Sequence, residues 1–284
     1  MAALQNIEMK TAKGKWIYRF IMTVLIIGIP IQVFPFVLSL LNCFKSVPEI
    51  ESAIPILFSA DPNWQGFVET FEKYKLWKNF LNSFIICGSI LVLQLTVSAL
   101  AAYSLSILKP KYGKIVLLLF VGTMMISAQA ILFPLYLMIV RWGLLDSFWA
   151  LILPSTAWGY SIFLFKGFFD GLPSELMDAA KIDGAGTMKV LMKIVLPLSK
   201  PVIVVNMINT FVIVYNDIVM PYMFLPSEKN WTVMVRIFVS MTGSFTTKNI
   251  LFIMSMTATV PLVILYSVCQ KQIAQGITMT GLKG

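Results

Sequence analysis

"DAAKIDGAGTMKVLMKIVLP", Asp178 to Pro197, is a polar, lysine-bearing stretch in a chain that otherwise reads as one apolar run after another. Ser174 follows Pro173 and suits a helix cap, with Glu175 and Asp178 in the first turns where the helix dipole favours acids. A short helix is expected to about Ile182. Asp183-Gly184 reads as a turn, because glycine accepts a positive φ, and Thr187 to Val195 reads as a second helix running until Pro197. Two helices at an angle present a knuckle. On it Ala179, Ala180, Ala185 and Gly186 are small enough to let another backbone approach, and Met177, Leu191 and Ile194 offer apolar contact. Two readings stand open: the knuckle inserts into a groove on another protein, or its lysines meet anionic lipid at a membrane surface.

Outward from this stretch, composition places the chain in a membrane. Of 284 residues 58% are hydrophobic and 12% charged, far from the balance of a soluble domain. Six apolar runs are each long enough to cross ~30 Å of hydrocarbon as a helix, at roughly 20–42, 81–107, 115–140, 148–169, 201–225 and 249–270. Phe20 to Leu41 exceeds the ~7–15 apolar residues of a signal core, so the first run is read as retained. Residues 1–19 form a basic tail and 20–284 the membrane domain, with a polar loop at about 171–200. Placing both termini in the cytoplasm puts fourteen of the 22 Lys and Arg on the inner side, as the positive-inside bias requires. That bias accounts for the net charge of +9 without a nucleic-acid partner. The plasma (inner) membrane is the expected location, with lipid as surroundings and the 171–200 loop on the cytoplasmic side.

Chemistry is bounded as sharply. The chain has no histidine, which removes His-based acid–base catalysis and histidine metal sites. It has no phosphate-cradling GxxxxGK followed by Ser or Thr, so any ATP must be handled by another subunit. Cys43, Cys87 and Cys269 are widely spaced and imply neither a disulfide framework nor a metal site. The expectation is a non-enzyme without a cofactor of its own.

In the fifth run Asn206, Asn209, Thr210, Asn216 and Asp217, laid on one helix, fall within an arc of roughly 120°. Amides and a carboxylate are costly in hydrocarbon, so the stripe must face protein or water. Either it lines a path for a solute rich in hydroxyls, or it supplies hydrogen bonds between helices. Pro134, Pro154, Pro221 and Pro261 lie in or near apolar runs and are read as kinks. "SALAAYS", Ser98–Ser104, is read as a close-packing face. The loop of about 43–79, with Pro48, Pro55, Pro62, Trp64 and Trp77, is expected to fold as a lid or ledge. Pro226 to Lys248, with Glu228, Asn230, Trp231 and Arg236, is either a seat for a soluble protein or a solvated connector.

The residues Asp178–Pro197 resemble the EAA loop of ABC importer permeases: Glu-Ala-Ala, three residues, Gly, nine residues, Ile, one residue, Leu-Pro. The match falls at Ala179, Ala180, Gly184, Ile194, Leu196 and Pro197, and the departure at Asp178, which replaces Glu with an acid one methylene shorter. "YNDIVMP", Tyr215–Pro221, resembles the Trp-Asn-Asp-Phe motif of carbohydrate permeases, and the C-terminal "QGITMTGLKG" resembles the tail of the maltose-type inner subunit. The resemblance implies an all-α, six-span type I ABC importer permease fold. It implies that Asp178, Ala179, Ala180, Asp183, Gly184, Ala185 and Gly186 form a coupling helix seated in a cytoplasmic ATPase dimer. It also implies a second homologous permease, an extracytoplasmic solute-binding protein and a sugar substrate. An ion-coupled carrier of a small polar solute is the alternative from a different class, although only Asp217 among the acids falls clearly inside a span.

Overall fold

The computed structural model describes residues 12–54, 56–243 and 246–281. The start of the basic tail through Thr11, Pro55 of the first loop, Ser244 and Phe245 of the Pro226–Lys248 loop, and the Leu282–Gly284 end of the tail lie outside them. Among the described residues every regular element is helical. The chain divides into two compact units, residues 12–74 with 246–257, and 75–243 with 258–281.

In the first unit α1 (Ala12–Asn42) carries a 29-residue apolar span, Gly14–Asn42, whose most apolar stretch has no buried residue. After it come two short helices, α2 (Val47–Ile50) and α3 (Gln65–Glu72). Glu49 organises this loop. Its Oε2 accepts from the Ser46 backbone N–H at 2.8 Å and the Ser46 hydroxyl at 2.9 Å, and its Oε1 accepts from Ser59 at 2.9 Å. Those bonds hold the Glu49 carboxyl below its usual range, the backbone N–H of Ser46 contributing most. Gly66 lies so close to the last helix that a Cβ would come within 2.8 Å of Asn249 and 3.0 Å of Ile253. The loop is therefore ordered local structure, as a folded lid or ledge requires.

The second unit is organised around α4 (Leu76–Tyr103), which continues as a π turn, Ser104–Leu108. Lys109 then takes a left-handed φ of 48° and Pro110 follows, a stop for any helix. Packed around α4 are α7 (Trp149–Ser155), α8 (Gly159–Phe169), α11 (Lys200–Asn216) and α13 (Val233–Thr242). The expected packing face is real: Ser98, Ala99 and Ala102 are buried. The remaining elements are α5 (Gly113–Met124), α6 (Ala128–Arg141), α9 (Ser174–Ile182), α10 (Thr187–Val190), α12 (Val219–Phe224) and α14 (Lys248–Gly281). A π turn, Leu191–Val195, and the short turn Leu196–Leu198 prolong α10.

Three continuous helices are long and apolar enough to cross a membrane: Gly14–Asn42, Leu76–Leu108 and Lys248–Gln270. The other three expected runs are interrupted. The third is α5 and α6, bent by 101°, and the fifth is preceded by a 77° bend between Thr187–Leu198 and Lys200–Asn216. The fourth divides into α7 and α8. Proline is not what breaks them: Pro134, Pro154, Pro221 and Pro261 all lie within helices. The breaks fall instead at 125–127, 156–158 and 217–218.

Candidate functional site

The three breaks converge on one cavity of about 820 Å³. Its walls are Ser83 to Gln94 of α4, the elbow between α5 and α6, the gap between α7 and α8 with Trp158, and the end of α11 with Asp217. Unpaired backbone at membrane depth is tolerated where it lines protein or a wet cavity, which gives these interruptions a common physical reason. The lining is mostly apolar, with amides at Gln94, Gln129 and Asn216 and hydroxyls at Ser83, Thr123, Ser155, Thr210 and Thr232.

The proposed polar stripe divides in two. Helix α11 ends at Asn216, and Asp217 has extended backbone, φ −68° and ψ 130°, so it does not continue the helical arc. Thr210, Asn216 and Asp217 line the cavity. Asn206 and Asn209 turn toward α8 instead: Asn206 Nδ2 donates to the Ser161 carbonyl at 3.4 Å and Asn209 Nδ2 to the Tyr160 hydroxyl at 3.2 Å. Asn216 Nδ2 bonds its own helix at Val212, 2.8 Å away. Asp217 Oδ1 accepts from the backbone N–H of Val219 at 3.0 Å and of Met220 at 3.4 Å, holding the start of α12. The carboxylate thus holds a local helix start while it faces the cavity. Sequence reasoning missed Gln94, which the structure places in the cavity wall. The signal was available as the lone amide in the apolar run "ILVLQLTV".

The knuckle forms with the expected turn, but its second helix is not the expected single run: α10 stops at Val190, a π turn follows, and Pro197 lies within the turn Leu196–Leu198 instead of ending the helix. Helix α9 spans Ser174–Ile182, Gly184 takes φ +70°, and α10 starts at Thr187. Asp178, Ala179, Asp183, Gly184 and Gly186 are exposed, Ala185 is half-buried, and Ile182 is 87% exposed. Ala180 is buried, and Met177 and Leu191, offered above as contact residues, are also buried, in a core with Ala99, Tyr103, Phe165 and Phe169. Their apolar surface anchors the knuckle to α4 and α8. The Tyr103 hydroxyl adds a bond to the Thr187 carbonyl at 3.0 Å. Nearby, Asp170 at the end of α8 accepts from the Ser106 hydroxyl and pairs with Lys166 at 2.6 Å. Partial burial opposes ionisation there, but these bonds outweigh it and hold the Asp170 carboxyl below its usual range.

Helix α4 links the cavity and the knuckle. Gln94 and Tyr103 are nine residues apart on it, ~14 Å along the axis. At its other end lies a third built feature. The Arg236 guanidinium, largely buried, donates to Glu228 at 2.6 Å and to Asn79 Oδ1 at 3.3 Å, and sits 4.8 Å from the Trp231 ring centroid. Asn79 and Asn82 each donate to the Trp231 carbonyl at 3.0 Å. Residues 226–242 are therefore a structured ledge over α4, where a solvated connector was the alternative. Glu228 is two-thirds exposed, so the ion pair itself is worth no more than ~1 kcal/mol. The bond to buried Asn79 and the ring contact matter more. Arg236→Ala is expected to cost about 2–3 kcal/mol and Glu228→Gln under ~1 kcal/mol, compared by thermal unfolding of the purified protein.

Residues 94–279 match the family described as binding-protein-dependent transport system inner membrane component. The chain is 31% identical over 257 residues to the melibiose/raffinose/stachyose import permease protein MelC of Bacillus subtilis (strain 168), covering 88% of this chain and 91% of that protein. It is 30% identical over 259 residues to the arabinooligosaccharides transport system permease protein AraQ of Halalkalibacterium halodurans, covering 89% and 92%. The fold is shared with a crystal structure of a bacterial ABC transporter involved in the import of the acidic polysaccharide alginate, with TM-score 0.83 at 18% identity over 92% of this chain and 98% of that one. With its long apolar helices, its interrupted spans and a family match over well more than half its length, this multi-pass membrane chain belongs to the family of binding-protein-dependent transport system inner membrane components.

Proposed function

We propose that the chain is one of two homologous membrane subunits of an ATP-driven importer of a carbohydrate, crossing the membrane six times with both termini in the cytoplasm. The cavity is its share of the path. The knuckle Asp178–Gly186 docks on a cytoplasmic ATPase dimer that binds the nucleotide, and the ledge of 226–242 receives the solute-binding protein. The chain performs no covalent chemistry; it supplies path, selectivity and a mechanical contact. The observation that carries this reading is the buried anchoring of the knuckle on the same two helices, α4 and α8, that wall the cavity. A displacement imposed at Gly184 is passed through close-packed side chains, which deform little, so the cavity walls must move with it, and alternating access follows as a rigid-body rocking.

The test is uptake of a labelled oligosaccharide into proteoliposomes holding the complete assembly. Expected is a strict requirement for ATP on the knuckle side and for the binding protein on the other. Uptake that ignores ATP and collapses with a protonophore would assign the chain to the ion-coupled carriers instead. Within the working assembly, Asn216→Ala is expected to lower kcat/KM for uptake about 5- to 10-fold, the worth of a lost hydrogen bond of ~1 kcal/mol or slightly more. Co-purification of the ATPase should be unaffected, since Asn216 is remote in sequence and fold from the knuckle.

A further inference from the structure

We propose that Gln94 and Thr210 are a hydroxyl-reading pair in the cavity wall, and that the cavity admits uncharged polyhydroxyl solutes in preference to carboxylated or phosphorylated ones. The proposal rests on the carbohydrate-path reading above and goes further by naming the selecting residues and the charge class of the cargo.

Gln94 Nε2 and Thr210 Oγ1 are buried and find no hydrogen-bond partner within the chain. Each residue is only 1% exposed, and both line the cavity from different helices, α4 and α11. A buried amide or hydroxyl left unpaired is unfavourable, and Leu or Val of similar volume would fill either position without that cost. An amide donor on one helix of the wall and a hydroxyl that both donates and accepts on another are the groups that sugar hydroxyls require. One turn further along the same helix faces, Ser98 Oγ and Asn206 Oδ1 are also buried and unpartnered. The polar strip therefore runs beyond the cavity on both helices.

The charge class follows from the lining. Asp217 is its one charged side chain, and neither Lys nor Arg appears among the described lining residues. Sites for carboxylate or phosphate supply forked or point cations. On this chain's share of the path an anionic solute would meet no cation and would stand near the Asp217 carboxylate, where like charges repel.

The probes are raffinose, maltotriose and arabinotriose as neutral trisaccharides, with trigalacturonate as the acidic one, each offered to the complete reconstituted assembly with ATP and its binding protein. The expected result is uptake of at least one neutral probe at least tenfold faster than trigalacturonate. Gln94→Leu and Thr210→Val, measured with the same binding protein, should each lower kcat/KM for that probe at least fivefold. Thr210→Ser, which keeps the hydroxyl, should stay within twofold of the parent. Because neither polar atom has a partner in the fold, both apolar variants should unfold at or above the parent's temperature. Comparable uptake of trigalacturonate overturns the charge-class inference. Parent-like uptake by both apolar variants, or a loss of uptake matched by a loss of thermal stability, overturns the pair. Failure of all four probes with ATP and binding protein present overturns the carbohydrate reading itself, a different outcome from either of these.

Discussion

With the knuckle docked as proposed above, Gly184→Trp is expected to strip the assembly of its ATP-hydrolysing subunit while leaving the membrane chain inserted and folded. Gly184 has φ +70°, and a side chain built there would meet nothing of its own chain within 4 Å. The indole therefore projects away from the core that holds Met177 and Ala180, and the internal cost is confined to the left-handed backbone, ~1–2 kcal/mol. What the indole does obstruct is any partner surface seated on the exposed apex formed by Ala179, Gly184 and Gly186. A misfit at the centre of a socket costs ~2 kcal/mol or more, about thirtyfold in affinity. Gly184→Asn separates the two effects, because asparagine tolerates the left-handed conformation and is small. Co-purification should follow the order glycine, asparagine, then tryptophan, with the tryptophan variant retaining about a thirtieth of the affinity. Full retention of the ATPase by Gly184→Trp would refute docking through this apex.

The turn at Gly184 was legible because local chemistry decides it. An acid in the first turn, Glu175, and the Asp-Gly pair each act within a few residues, and the structure sets the boundaries at Ile182 and Thr187 as expected, with Ser174 as the first helical residue and not the cap. The faces of the knuckle were not legible in the same way. Met177 and Leu191 are apolar whether they meet a partner or their own core, and only the approach of Phe165 and Tyr103 decides between the two. Periodicity assigns a residue to a face but does not say what covers the face.

The same limit explains the spans. Hydropathy detects runs of apolar side chains but is blind to backbone direction, so "GTMMISAQA", Gly122–Ala130, reads as continuous while the chain turns by 101° within it. The polar stripe failed at Asp217 for a related reason: the helical arc presumes an unbroken helix, and Asp217 bonds forward to Val219 and Met220, opening a new one. Gln94 was overlooked because a single amide in an apolar run carries no periodic signal. Its meaning appears only when Thr210, 116 positions away in sequence, is brought to the same cavity.

Gly159→Ala carries a large expected cost to the fold itself. A Cβ on Gly159 would overlap the Phe120 carbonyl oxygen and stand 2.9 Å from Thr123 Oγ1. The first neighbour is backbone and cannot rotate away. The second is already committed, since Thr123 Oγ1 donates to that same Phe120 carbonyl at 2.6 Å. Accommodation therefore requires α5 to move off α8, and overpacking of this kind costs about 1–3 kcal/mol, more where backbone must shift. Position 159 opens α8 immediately after the break at 156–158, and Thr123, Met124, Trp158 and Gly159 all belong to the cavity wall. The displaced helix thus distorts the path as well as the packing. Expected are a thermal unfolding temperature several degrees lower, by the usual relation between stability and midpoint for a chain of this size, and uptake reduced by more than stability alone explains at a temperature where the assembly is intact. Gly122→Ala, on the opposing helix α5 with open space at its Cβ, is the control and should change neither. If Gly159→Ala behaves like Gly122→Ala, then α5 and α8 are not held at the separation that this contact requires.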